Sequence, residues 1–218
     1  MSIAPALAAG RRRPSVLRNA AALALFVALL TWFLLATTLV APRRFLGAVK
    51  AHLRLVFRVL GLRVTVSGLE SVESGRGCLY MANHVSFLDQ FLLLAYLPGY
   101  FVGLEKIENN SIPLYGWAGR RWGQVYIHRE DRTAAIESCK IVAQRLSAGM
   151  TVAVFPEGTR SPDGRLGPFK RGVFHIAVDA AATVVPVAIR GLHALAPRGS
   201  RLVAAGAVEI RIGRPIPP

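Results

Sequence analysis

Cysteine, lysine and acidic residues are scarce in this chain. Two cysteines, Cys78 and Cys139, cannot staple 218 residues into a disulfide scaffold, and they read as small buried hydrophobes in a reducing compartment. Twelve acidic residues stand against 27 basic ones, of which only four are lysine (Lys50, Lys106, Lys140, Lys170), for a formal net charge of +15. Charged residues make up only 18% of the chain and hydrophobic ones 53%, the reverse of a disordered polybasic protein. Aromatics are 8% and no nucleic-acid-binding motif accompanies the charge, which speaks against a nucleic-acid partner. The remaining partner for a basic surface is an anionic membrane, and the mean hydropathy of +0.41 agrees with it.

One hydrophobic run is long. Residues 20–41 carry no charge over 22 positions, a helix of about 33 Å against a hydrocarbon core of about 30 Å. A signal peptide has a shorter apolar core and a small-residue cleavage site; this run ends instead in Pro42-Arg43-Arg44. The segment is read as membrane-inserted, behind a basic stretch 1–19. It either spans the bilayer or lies in one leaflet. The richer positive flank lies on the carboxyl side, which puts the body of the chain at the cell membrane on its cytoplasmic face. Residues 42–62 form a basic amphipathic helix with Lys50, Arg54 and Arg58 four apart, suited to anionic headgroups or to plain solvent.

From residue 63 to 218 the pattern is that of one domain. Short β-rich runs occur at Val64–Val66, Cys78–Ala82, Tyr100–Gly103, Gln124–Ile127, Thr151–Phe155, Val184–Ile189 and Val208–Ile212. Between them lie helical stretches, clearest at Arg132–Ala148 with Asp131 as N-cap and Ile136, Cys139, Val142, Ala143 and Leu146 on one face, and again at Gly172–Ala182. Alternation of this kind predicts an α/β fold with a mixed, largely parallel sheet flanked by helices.

Four segments stand out, three of them with chemistry. Asn83-His84-Val85-Ser86-Phe87-Leu88-Asp89 follows the second strand directly. Five residues along a helix would turn Asp89 about 140° away from His84, but a strand-to-helix turn can return the carboxylate to the imidazole. A carboxylate on one ring nitrogen sets the tautomer and raises the basicity of the other. Ser86 lacks the elbow of a hydrolase nucleophile, and no second histidine or carboxylate falls at metal-ligand spacing. Phe155-Pro156-Glu157-Gly158-Thr159-Arg160-Ser161 ends another strand, where α/β sheets bind ligands; Gly158 allows close approach, and Thr159, Arg160 and Ser161 suit a phosphate. Lys170 and Arg171 add cations before a helix start. Gly123-Gln124-Val125-Tyr126-Ile127-His128-Arg129 ends in an arginine, with His128 as a second candidate base. Val184-Val185-Pro186-Val187 has no chemistry of its own and reads as a buried edge strand.

In this order the four segments resemble the motif set of the glycerolipid acyltransferase family, the 1-acylglycerol-3-phosphate acyltransferases in particular, over about Val64 to Ile189. The resemblance implies the glycerol-3-phosphate acyltransferase-like fold and no cofactor. It implies His84 as general base with Asp89 orienting it, and direct transfer of a fatty acyl chain from acyl-CoA or acyl carrier protein to the free hydroxyl of a lysophosphatidic acid, in phospholipid biosynthesis. It assigns Arg129, Glu157, Gly158, Thr159 and Arg160 to the acceptor phosphate side, with Glu157 holding an arginine or a glycerol hydroxyl, and Pro186 to a wall near the acyl site. His128 departs from the pattern, so another lysophospholipid or a lyso-aminolipid such as lyso-ornithine lipid is the alternative acceptor. A non-catalytic basic membrane adaptor is the remaining reading, disfavoured because His84, Asp89 and Glu157 stand together.

Overall fold

The computed structural model describes residues 12–72, 77–128 and 131–218. All seven predicted strands are present: β1 (Leu62–Ser67), β2 (Leu79–Ala82), β3 (Phe101–Lys106), β4 (Val125–Ile127), β5 (Thr151–Val154), β6 (Val184–Arg190) and β7 (Gly206–Ile212). They form one sheet in the order β1-β7-β6-β2-β5-β3-β4. Every neighbouring pair is parallel except β6 with β7. The sheet is thus mixed and largely parallel, as the alternation of strands and helices predicts.

β2 lies inside the sheet, and all four of its residues are buried, because both of its faces are covered. The helices are α1 (Val16–Ala36), α2 (Leu46–Leu60), α3 (Asp89–Tyr96), α4 (Tyr115–Trp122), α5 (Arg132–Ser147), α6 (Arg171–Asp179) and the short α7 (Leu192–Leu195).

Several local readings need correction. β6 is not an edge strand: it lies between β2 and β7. Proline is tolerated inside it because Pro186 falls where β7 ends: its carbonyl accepts from Gly213 N at 2.8 Å, and pairing resumes past it, where Val184 and Ile216 exchange two hydrogen bonds. In α5 the cap is as expected, with the Asp131 carboxylate accepting from Ala134 N, but Ile136 is exposed, and the buried stripe is Val142, Ala143 and Leu146. α6 stops at Asp179, where Ala181 takes φ 44° and turns the chain toward β6.

α1 begins at Val16, earlier than the uncharged run, because Ser15 caps it by accepting from Arg18 N. It ends at Ala36, where the hydroxyls of Thr37 and Thr38 bond back to the carbonyls of Phe33 and Leu35. It is the one helix among the described residues long and apolar enough to cross a membrane, with mean hydropathy 2.1. It is also docked on the domain along its length. Asn19 exchanges two hydrogen bonds with the backbone of Val203 (3.0 and 2.8 Å), and Ala22 and Leu29 are buried further along. Near its carboxyl end the Phe33 ring lies 5.7 Å from Trp122. The opposite face, with Leu17, Val27 and Leu35, is exposed, and so is Leu23 on the flank. On α2, the basic stripe is partly spent inside the protein: Lys50 donates to the carbonyl of Leu97, and Arg54 Nε donates to that of Ala95 at 2.9 Å. Both cations sit at the carboxyl end of α3, whose last carbonyls lack helical partners.

Candidate active site

The first and third motifs meet because their strands are neighbours. Met81 of β2 is in register with Val154 of β5, so both chains leave the sheet side by side at the carboxyl ends of parallel strands. After β2 the chain turns before α3 starts at Asp89. That turn returns the carboxylate to the imidazole, with His84 Nδ1 and Asp89 Oδ2 2.7 Å apart. The same Oδ2 accepts from the amides of Val85 (2.7 Å) and Ser86 (2.8 Å), so one oxygen holds the loop and the ring together. Asp89 is fully buried, and its Oδ1 has no partner among the described residues. Burial pushes the Asp89 carboxyl above the usual carboxylate range, against the pull of the hydrogen bonds from His84 and from the Ser86 and Val85 amides. With an anionic acceptor on Nδ1, the ring carries its proton there. Nε2 is left as a free base, with no partner among the described residues.

The third motif grips the first by its backbone. The carboxylate of Glu157, buried, accepts from His84 N through Oε1 at 2.7 Å and from Gly167 N through Oε2 at 2.8 Å. Ser161 N donates to the His84 carbonyl at 2.7 Å. Both oxygens of Glu157 thus bind backbone amides, and among the described residues no arginine pairs with it. Gly167 suits the approach, since a Cβ there would stand 3.1 Å from Glu157 Oε2. Asn83 fixes the other side of the turn, donating to Ile189 O at 3.0 Å and accepting from Ile189 N at 2.7 Å. The Phe155 ring stacks on His84 at 4.1 Å and 12° and holds the imidazole plane.

Gly158 adopts φ 69°, which turns Thr159 and Arg160 outward. Thr159 is exposed and Arg160 half-buried, without an ion-pair or hydrogen-bond partner among the described residues. Lys170 is folded against this turn: its amide donates to Pro156 O at 2.7 Å, and its Cγ lies 3.3 Å from where a Gly158 Cβ would be. Arg160 directly precedes Ser161, whose amide binds the His84 carbonyl, Lys170 packs on Gly158, and Arg171 opens α6, so three cations belong to the segments around the His84 turn. Arg129 lies outside the described residues. β4, which precedes it, is three strands from β2, about 14 Å along the sheet. His128 is exposed and has no carboxylate against it among the described residues. Pro186 lines a wide groove with Asn83, Val85 and Pro156, and is not part of the apolar cavity behind Phe155.

That cavity, of ≈ 100 Å³, is walled by Phe26, Leu53, Phe91, Phe101, Trp122 and Phe155. One stretch of its wall is polar: Gln90 donates to the Tyr115 hydroxyl (2.8 Å), which donates to Glu105 at 2.7 Å. Burial raises the Glu105 carboxyl, opposed by the hydrogen bonds from Tyr115 and Asn109. Motif reasoning did not single out Glu105 and Tyr115. A lone acid in the apolar run Phe101-Val102-Gly103-Leu104-Glu105 was the available signal.

A histidine on a buried carboxylate thus stands at the carboxyl edge of a largely parallel sheet, stacked on Phe155, which lines an apolar cavity. Residues 63–190 match the model of the Acyltransferase family, and the chain belongs to that family. It is 38% identical over 156 residues to a chloroplastic 1-acyl-sn-glycerol-3-phosphate acyltransferase of Brassica napus, covering 71% of this chain and 45% of that protein. The alpha form of that enzyme from Ovis aries is 34% identical over 158 residues, 72% of this chain and 55% of the relative. The chain thus spans about half the length of the curated relatives it matches. The crystal structure of the 1-acyl-sn-glycerophosphate acyltransferase of Thermotoga maritima superposes with a TM-score of 0.82 at 27% identity, over 93% of this chain and 85% of that one.

Proposed function

We infer that this protein transfers a fatty acyl chain from a pantetheine thioester, acyl-CoA or acyl carrier protein, to the free hydroxyl of 1-acylglycerol 3-phosphate, forming phosphatidic acid. The observation that carries the reading is the His84–Asp89 pair, with Nε2 unpartnered among the described residues and the ring stacked on Phe155 of the apolar cavity. Nε2 takes the hydroxyl proton as the oxygen attacks the thioester carbonyl, while Nδ1–H stays on Asp89, which steadies the imidazolium. The tetrahedral intermediate collapses, the carbon–sulfur bond breaks, and the thiolate leaves with the proton held on Nε2. No acyl-enzyme is formed. Arg160, Lys170 and Arg171, with Arg129, receive the acceptor phosphate. Thr159 adds a hydroxyl to that set. Glu157 and Asn83 position the histidine loop rather than touch substrate. The cavity behind Phe155 takes the donor chain; at ≈ 100 Å³ it has room for a short stretch before residues such as Phe26 turn aside.

The protein acts at a membrane. α1, docked on the domain from Asn19 to Phe33, lies in one leaflet with its exposed apolar face toward lipid, since a helix crossing the bilayer would carry one end about 30 Å away from the domain.

The test uses purified protein in detergent with lysophosphatidic acid and a long-chain acyl thioester of each carrier, with product identified by mass. Phosphatidic acid from the wild type and not from His84→Ala is the expected result. Equal product from both would remove His84 from the mechanism.

A further inference from the structure

The product of the proposed reaction has two fatty chains, so a site that makes it must house two chains at once, one delivered and one already on the acceptor. The structure has two apolar spaces on the face of the sheet covered by α1, α2 and α3. The first is the cavity behind Phe155. The second is a groove of ≈ 360 Å³ between the amino-terminal half of α1 and the carboxyl-terminal half of α2, lined by Ala20, Leu23, Val56, Leu60, Phe87 and Leu88. The two share a wall: Phe26 from α1, Leu53 from α2 and Phe91 from α3 face both. The Phe26 and Phe91 rings meet edge to face at 4.9 Å and 76°, and Leu53 is buried, so the wall is packed rather than open.

The loop between His84 and α3 lines the groove, and the cavity begins at residues next to that loop. Phe87 and Leu88 open onto the groove, whereas Phe155, stacked on His84, and Gln90 open onto the cavity. A glycerol held at His84 therefore has the cavity past Phe155 and the groove past Phe87 and Leu88. The groove is also open along α1, where its lining residues Val16 and Leu23 are exposed, so a single-chain lipid in a leaflet enters it sideways without leaving an apolar environment.

We propose that the groove between α1 and α2 is the binding site for the acyl chain already present on the acceptor lysolipid, and that the Phe26–Leu53–Phe91 wall keeps it apart from the donor chain. This rests on the lysolipid acyltransferase reading above. It gives acceptor and donor chain lengths separate determinants.

Leu23→Trp fills the groove from an exposed position, Leu30→Trp fills the cavity from its rim, and Leu35→Trp, exposed on the same helix away from both, controls for tryptophan on α1. Each is assayed in detergent with lysophosphatidic acids of short and long chain and with acyl-CoAs of short and long chain. Each methylene displaced from apolar contact weakens binding about four-fold. Leu23→Trp is expected to lower kcat/KM for the long-chain acceptor by about ten-fold or more, leaving the short-chain acceptor and the donor length profile as in Leu35→Trp. Leu30→Trp is expected to do the converse. An acceptor loss equal for short and long chains, a changed donor profile in Leu23→Trp, or no change in it at all would each overturn the assignment. If the wild type acylates no lysolipid of any length, the underlying reading fails and takes this inference with it.

Discussion

His84 is held at three points, Nδ1 by Asp89, its amide by Glu157 and its carbonyl by Ser161, while Nε2 has no partner among the described residues. Positioned general-base catalysis contributes about 10²- to 10⁴-fold, so His84→Ala is expected to lose activity on that scale. The ring's one hydrogen bond goes to a side chain that the Val85 and Ser86 amides also hold, so the melting temperature should change little. Glu157 behaves differently. In Glu157→Gln one of the two amide donors faces an NH₂ group instead of an oxygen. Hydrogen bonds to a charged acceptor are worth about 1.5–3 kcal/mol, so thermal unfolding should show a loss of that order along with a lower kcat. A raised acceptor KM with unchanged stability would mean that Glu157 meets substrate after all. The motif order made His84 and Asp89 legible in sequence. Glu157's role was not, because its partners are backbone amides 73 residues back and 10 residues ahead, and main-chain donors leave no mark on side-chain identity.

At the scale of elements, the seven strands were visible as β-rich runs, since buried parallel strands read as continuous apolar segments. Helix faces were less legible. Ile136 fits the apolar period of α5 yet is exposed, and Lys50 and Arg54 sit on a stripe that looks solvated yet bind the end of α3. Burial, and next the neighbouring Arg54, lower the Lys50 pKa from 10.5 to about 8. Between these values the unfolded chain holds a proton that the folded chain has released. The folded state therefore gains stability from this group as pH rises from about 8 toward 10.5, and carries the penalty below 8. Melting curves across that range should rise more steeply for the wild type than for Lys50→Met. Asn19 pins α1 to Val203 by two hydrogen bonds of about 0.5–1.5 kcal/mol each, so Asn19→Ala should loosen the start of α1 and speed proteolysis there. Unchanged cleavage would show that apolar packing alone holds the helix.

For the whole molecule, the docked α1 and the net charge of +15 both bear on the membrane. Intact protein should float with anionic vesicles and less so with neutral ones, the electrostatic share falling with salt over a Debye length of about 8 Å at physiological ionic strength. In sealed vesicles with the domain outside, a helix lying in one leaflet leaves a cysteine placed at Ser15 open to a membrane-impermeant thiol reagent; a crossing helix would protect it. The sequence by itself determined the α/β class, the strands and the histidine–carboxylate pair, because apolar runs and a strand-to-turn motif are local properties. Only the tertiary structure decided that Glu157 grips backbone, that β6 is internal, that α1 lies on the domain and that two apolar spaces share one wall. Each of these joins residues distant in the chain, and their pairing is set by which strands become neighbours and which helix faces are left to cover them.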